Sequence, residues 1–172
     1  DLMIDNCILD EQIFDHYVYQ KEHLLLAVPK SCSVNTRLQE YQIPIETIHD
    51  GSFLSPEVLS VPLNSFANEP FIILRSDNDT GKRALTICQE NNFTPHTIFR
   101  LDQQMTAYNI ACSGMGITFI GDLLLASAPA TSELIFYKLP GKNCNRNVSF
   151  YWKKGRYISR AMEEFLKIAL PQ

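Results

Sequence analysis

No run in this sequence approaches the ~18 consecutive apolar residues that a membrane-crossing helix needs. The start, Asp1-Leu2-Met3-Ile4-Asp5-Asn6, has no basic stretch leading into an apolar core, so no signal peptide is visible. Cys-x-x-Cys pairs are missing as well. Cys7, Cys32, Cys88, Cys112 and Cys144 are odd in number and widely scattered, a poor basis for a zinc site or a redox dithiol. Free thiols in a reducing cytosol fit them better, with Cys88 and Cys112 on apolar helical faces. Basic blocks are absent except for Lys153, Lys154 and Arg156 around Gly155, which read as a solvated strand end. With a net charge of −4, the chain lacks the electrostatic footprint of a nucleic-acid binder. By itself it is expected not to bind DNA specifically.

Catalytic signatures are equally scarce. There is no G-x-S-x-G, no Walker loop, no H-E-x-x-H and no G-x-G-x-x-G. Gly114-Met115-Gly116 follows a helical pattern instead of preceding one, which suits a helix-to-strand turn. His16, His23, His49 and His96 do not cluster at ligand spacing and read as surface or loop residues. Asp5, Asp10, Glu11 and Asp15 could form an acid–base set, but a solvated loop face is the simpler reading. No nucleophile–base pair can be named, so a small α/β transferase has little behind it. The expectation is a binding module that is not an enzyme, uses no cofactor and holds no metal.

What the chain does have is a regular second half. Its 172 residues suffice for one domain or for two small lobes. Leu2 to Ile4, Tyr17 to Tyr19 and Leu24 to Val28 read as strands, Pro29 ending the last. Lys30 to Pro70 is irregular, with a short helical turn at best between Leu59 and Ala67. Phe71 to Leu74 reads as a fully buried strand. Asp79 or Thr80 can cap a helix to about Glu90 that buries Ala84, Ile87 and Cys88, and Asn91-Asn92 suits its exit. Thr97 to Leu101 is the next strand. Asp102 can cap a second helix carrying Met105, Tyr108, Ala111 and Cys112, and Ile117 to Ile120 follows as a third strand. Asp122 can cap a short helix through Ala126. This alternation predicts a largely parallel α/β sheet. Leu134 to Leu139 and Asn147 to Lys153 read as later strands, the second one-sided and antiparallel. A last helix starts near Ser159, with Met162, Phe165, Leu166 and Ala169 on one face and Pro171 as its stop.

Two polar turns stand directly between a strand and a helix: Arg75-Ser76-Asp77-Asn78-Asp79-Thr80 and Asp102-Gln103-Gln104. In open α/β sheets, ligands bind outside the carboxyl ends of the strands, near helix N-termini, which offer free N–H groups to anions. Ser76, Asn78, Thr80, Gln103 and Thr106 would orient such a ligand without cleaving it. On local pattern alone, helix capping explains the same residues more simply.

Several stretches, in order and at matching distances, resemble the effector-binding region of LysR-type transcription regulators. They are Glu69-Pro70-Phe71-Ile72-Ile73-Leu74, then Asn92-Phe93-Thr94-Pro95, then Cys112-Ser113-Gly114-Met115-Gly116-Ile117-Thr118-Phe119-Ile120. Val148 to Lys154 and Gly155-Arg156-Tyr157-Ile158-Ser159 are similar to that family's last strand and entry to its final helix. Leu24-Leu25-Leu26-Ala27-Val28-Pro29 matches its crossover strand, and Asp1-Leu2-Met3-Ile4 its opening strand. Gly121 replaces the family's proline.

The resemblance implies a type II periplasmic-binding-protein-like fold of two Rossmann-like lobes. Lobe I would comprise residues 1–29 and 155–172 and be incomplete, since the family's winged helix-turn-helix and the start of lobe I have no counterpart. Lobe II would be 30–154. It further implies a small polar or anionic effector between the lobes, held from lobe II at the two turns, which favours the ligand role of Ser76, Asn78, Thr80, Gln103 and Thr106 over plain capping. Expected partners are that effector and DNA only through a missing N-terminal domain. No membrane partner is expected; a homodimer or tetramer and a cytoplasmic location are. The alternative of the same architecture is a periplasmic solute-binding protein of a transport system, against which the scattered cysteines count.

Overall fold

The computed structural model describes residues 2–129 and 131–169. Asp1 and Pro171, read from sequence as part of the first strand and as the last helix's stop, lie outside the described residues. In chain order the elements are β1 (Met3–Asp5), β2 (Phe14–Pro29), β3 (Gln42–Ile43), α1 (Ile45–His49), β4 (Pro70–Leu74), α2 (Asp79–Glu90), β5 (His96–Leu101), α3 (Gln104–Cys112), β6 (Ile117–Gly121), α4 (Asp122–Leu125), β7 (Leu134–Lys138), β8 (Asn145–Lys153) and α5 (Arg160–Ala169). Short 3-10 turns, the last at Leu63–Phe66, punctuate the irregular stretch before β4.

Two compact units emerge, residues 1–22 with 145–172 and residues 23–144. These cuts differ from the expected boundaries at 29/30 and 154/155. The reason lies in β2, a single strand of 16 residues where the sequence suggests two separate segments. Its end from Leu24 to Pro29 is wholly buried in the larger unit, and its start, residues 14–21, is mostly exposed although it carries Phe14, Tyr17, Val18 and Tyr19. Burial thus divides the strand near its middle, while its backbone runs on unbroken.

The larger unit is an open sheet in the order β3-β7-β2-β6-β4-β5. β4 pairs in parallel with both β5 and β6, while β2 runs antiparallel to β6 and β7. β4 is apolar throughout, and its alternation sorts the core. Phe71 and Ile73 join Ala84, Ile87 and Cys88 of α2 in one cluster, whereas Ile72 and Leu74 join Ala107, Tyr108 and Ala111 of α3 in the other. Leu24, Leu26 and Val28 of β2 fall in the first cluster, Leu25 and Ala27 in the second. A central strand covered on both faces reads as a continuous hydrophobic run for this reason.

Several local expectations need correcting. The cap of α2 is Asn78, whose Oδ1 accepts the Thr80 N–H at 2.8 Å, and not Asp79 or Thr80. The residue capping α3 by position is Gln103, with no side-chain bond, and Asp102 lies outside the helix. Asp122 is the first residue of α4, capped by Gly121. On α3, Met105 is exposed and Cys112 half-buried, because the inward face is formed by Ala107, Tyr108 and Ala111. Asn92 does adopt the left-handed conformation at the exit of α2, with φ 62°.

In the smaller unit β1 pairs antiparallel with β8, Met3 opposite Tyr151, and β8 lies beside β2. Rings meet across that pair, Tyr17 tilted against Trp152 with centroids 5.2 Å apart and Tyr19 edge-on to Phe150 at 5.3 Å. Leu166 of α5 closes onto Phe150 and Trp152. Residues 149–152 are buried on both faces of β8, contrary to the one-sided expectation, because Tyr151 packs against His16 and donates to the Cys7 carbonyl. Phe165 of α5 is 49% exposed and touches Phe150 only edge-on.

Burial makes a pH prediction for the larger unit. It pushes the Cys88 and Cys144 thiols from an ordinary 9.0 to about 12, and the Tyr108 and Tyr137 phenols from 10.0 to about 12. All four are neutral when protonated, so their folded-state values lie above the unfolded ones. Their contribution is complete below about pH 9 and is lost as pH rises toward 12. The urea midpoint is therefore expected to fall between pH 9 and 11. At pH 8, Cys88 and Cys144 should resist a thiol reagent until urea is added. Rapid labelling of both in the native chain would refute this.

Candidate functional site: the carboxyl edge of the parallel strands

The strand order β6-β4-β5 carries a topological consequence. The chain steps from β4 to β5 on one side, then crosses back over β4 to β6 on the other. α2 and α3 consequently pack on opposite faces, as the two core clusters record. The carboxyl ends of β4 and β6 therefore form the switch point of the sheet, the place where open α/β sheets accept ligands. The turn 75–78 and the start of α2 form one side of it, and Gly121 and Asp122 the other.

α2 reaches this edge at very close range. A Cβ on Gly81 would lie 2.3 Å from the Arg75 carbonyl oxygen and 2.4 Å from that of Leu74, so only glycine lets the first helical turn sit against the strand end. The neighbouring turn is tied in by the backbone, the Arg75 N–H donating to the Leu101 carbonyl at 2.8 Å. The Arg75 guanidinium then stands 3.5 Å from Asp102 and 3.7 Å from Asp77, all three exposed.

The five residues singled out from sequence divide into two groups. Ser76, Gln103 and Thr106 are exposed. Thr80 is buried and Asn78 half-buried, and both are engaged: Asn78 caps α2, and the Thr80 hydroxyl accepts from Gln104 Nε2 at 2.8 Å. The two turns are thus brought to adjacent strand ends, while Thr80 is bonded inward to Gln104.

Two contributors were missed. Gln104 belongs to the second polar turn by sequence and is the first residue of α3. Its side chain turns inward, Nε2 donating to Thr80 while Oε1 accepts the Gly121 N–H at 3.0 Å, and so bridges the two sides. His23 reads as a loop histidine, but it is half-buried at the entry of β2 into the larger unit. Its Nδ1 meets Asp122 Oδ2 at 2.9 Å. Asp122 Oδ1 accepts the backbone N–H groups of His23, at 3.0 Å, and of Leu123, at 2.8 Å. Phe53 packs edge-on to the imidazole with centroids 5.8 Å apart. Nothing in the sequence signals a pairing across 99 positions; the antiparallel register that sets Leu24 opposite Gly121 creates it.

The arrangement presents hydrogen-bonding groups that can bind and orient a polar molecule. Among the described residues no group of three or more His, Cys, Asp or Glu side chains is placed to hold a metal, and no helix is long and apolar enough to cross a membrane. The smaller unit has a hollow of about 730 Å³ walled by Met3, Phe14, Tyr151, Trp152, Tyr157 and Met162. None of the five candidates lines it, and the cations at its rim, Lys153 and Arg156, are exposed.

Comparison with known proteins places the fold. The sequence profile of the LysR substrate binding domain matches residues 53–172. The uncharacterized HTH-type transcriptional regulator YcgK of Bacillus subtilis strain 168 is 26% identical over 110 residues, 63% of this chain and 33% of that protein. The chain spans about a third of the length of such curated relatives. The regulatory domain of CcmR from Synechocystis PCC6803, solved in complex with 2-PG, superposes with a TM-score of 0.75 at 16% identity, over 99% of this chain and 72% of that one. The effector binding domain of QuiR in complex with shikimate gives a TM-score of 0.70 at 18% identity, over 99% and 70%.

Proposed function

Because the chain belongs to the LysR substrate binding domain family, we propose that it is the effector-sensing module of a LysR-type transcription regulator. It binds a small polar or anionic molecule at the carboxyl edge of β4, β5 and β6 and relays occupancy to a DNA-binding domain elsewhere in the regulator. The observation that carries this is the β4/β6 switch point, where Gln104 bridges Thr80 and Gly121 next to two exposed polar turns. Edge residues fixed in this way are preorganised to meet a ligand's oxygens. The type II periplasmic-binding-protein-like architecture, which the LysR effector domains share, suits binding and release without chemistry.

The relatives named above are regulators, which favours this reading over a periplasmic transport component. The assignment of residues 1–29 and 155–172 to lobe I and 30–154 to lobe II belongs to the same proposal, which places β2 in lobe I and β8 in lobe II. A cytoplasmic location, a homodimer or tetramer, and the absence of enzymatic activity go with it.

The test begins with native mass spectrometry of the purified chain to identify a retained small molecule. Gln103→Ala and Ser76→Ala are then expected to weaken binding of that molecule by about 0.5–3 kcal/mol each, the range for one neutral or charge-assisted hydrogen bond. Both should melt as wild type, since neither side chain makes a hydrogen bond among the described residues. Asn78→Ala is the stability control and should cost ~1 kcal/mol through loss of the α2 cap. Unchanged binding in both exposed variants, or conversion of the bound molecule, would sink the proposal.

A further inference from the structure

We propose that His23, oriented by Asp122, is the group at this edge that recognises an oxyanion, a carboxylate or phosphate of the effector. The inference rests on the site reading above and names the ligand chemistry for it. Asp122 is fully committed. Oδ1 takes two backbone N–H groups and Oδ2 takes His23 Nδ1. A carboxylate held in this way keeps the proton on Nδ1 and fixes the ring plane. Phe53 braces the same ring from its edge. The opposite nitrogen, Nε2, has no hydrogen-bond partner among the described residues and is not buried, in a side chain that is 16% exposed.

The position matters as much as the pairing. Asp122 follows Gly121, whose N–H is held by Gln104, which in turn holds Thr80 at the start of α2. The imidazole therefore terminates a continuous hydrogen-bonded wall along this edge, reached from β2 at one end and from α2 at the other. An oxyanion at Nε2 would have the imidazole between itself and the Asp122 carboxylate. With Nδ1–H given to Asp122, Nε2 donates to the oxyanion only in the doubly protonated ring, and that imidazolium stands nearer to the oxyanion than the Asp122 carboxylate does. A purely structural His–Asp pair would tie β2 to the β6–α4 corner equally well, but it would not respond to added anions.

The experiment follows the His23 ring resonances by NMR, assigned with His23→Gln, while acetate or inorganic phosphate is added against chloride at matched ionic strength. The expected result is a saturable shift of the His23 ring with an oxyanion and none with chloride, accompanied by shifts of the Thr80 and Gly121 amides. In His23→Gln the affinity read from those amides should fall about tenfold or more, the loss of one charge-assisted hydrogen bond. Movement of the amides of residues 76–80 and 103 with a silent His23 ring overturns the inference and leaves the site reading standing. An equal response to chloride overturns it as ionic strength alone. No response to either oxyanion overturns it as well, and the retained molecule found by mass spectrometry then decides the site reading by itself. Asp122→Asn gives a second check, since it should blunt the ring's response while the fold, read from the remaining amides, is kept.

Discussion

Gly81→Ala is expected to destabilise the chain by about 3 kcal/mol, the upper end of the usual range for overpacking. For a protein of this size that corresponds to a fall in Tm of about 6–12 °C. Helix propensity alone forecasts the opposite, because alanine is favoured over glycine inside a helix by ~1 kcal/mol. Packing overrides it here. The added methyl would meet the carbonyl oxygens of Arg75 and Leu74 at 2.3 and 2.4 Å and the Leu74 carbonyl carbon at 2.8 Å. These are backbone atoms at the end of the central strand, whose residues 71–74 are all buried, so they cannot swing aside as a flexible side chain would. Relief has to come from α2 moving outward, which would pull Thr80 from Gln104 and loosen the switch point. The thermal melt checks the first part, and loss of binding beyond that of Ser76→Ala checks the second. A variant that melts at or above the wild-type temperature would show that α2 does not lie against the strand as described.

The contrast at Gly81 shows where sequence reasoning stops. The β4-α2-β5-α3-β6 alternation was legible because each element carries its own periodic signal and its own exit, such as Asn92 in the left-handed conformation. β2 was legible only in pieces. Its apolar end reads clearly, but the segment Gln20-Lys21-Glu22-His23 looks like a loop because no single residue there announces a strand. It is a strand because backbone pairing carries it from one unit into the other. β8 misled for a related reason, since its burial on both faces comes from partners distant in sequence, Cys7 and His16 on one side and Leu166 on the other.

What the sequence makes legible around the candidate site is the placement of its two turns. The two polar turns do stand at adjacent strand ends, because parallel strands that each precede a helix place their exits on one edge. What cannot be read locally is which polar side chain faces inward. Asn78 caps α2 and Thr80 accepts from Gln104, whereas Gln104 and His23 acquire their roles from Gly121 and Asp122, brought near by sheet register. Long-range pairing of single polar residues leaves no periodic trace in a sequence.

Arg146→Leu should be among the most damaging single changes in the smaller unit, costing about 3–5 kcal/mol. Arg146 Nε donates to Glu22 Oε2, and the side chains are only 1% and 8% exposed. Both lie on the long strands, Glu22 at the last position of the smaller unit's share of β2 and Arg146 at the second of β8. Removing the guanidinium leaves a buried carboxylate whose desolvation is no longer offset, and that penalty dominates over the modest net worth of the pair itself. The double variant Glu22→Leu with Arg146→Leu removes both charges and is therefore expected to recover most of the loss. Urea unfolding of the four forms closes a double-mutant cycle, and a coupling of about 3 kcal/mol or more should emerge. Near-additive losses would mean that Glu22 and Arg146 act separately, and a cost below about 1 kcal/mol for Arg146→Leu would mean that water reaches the pair.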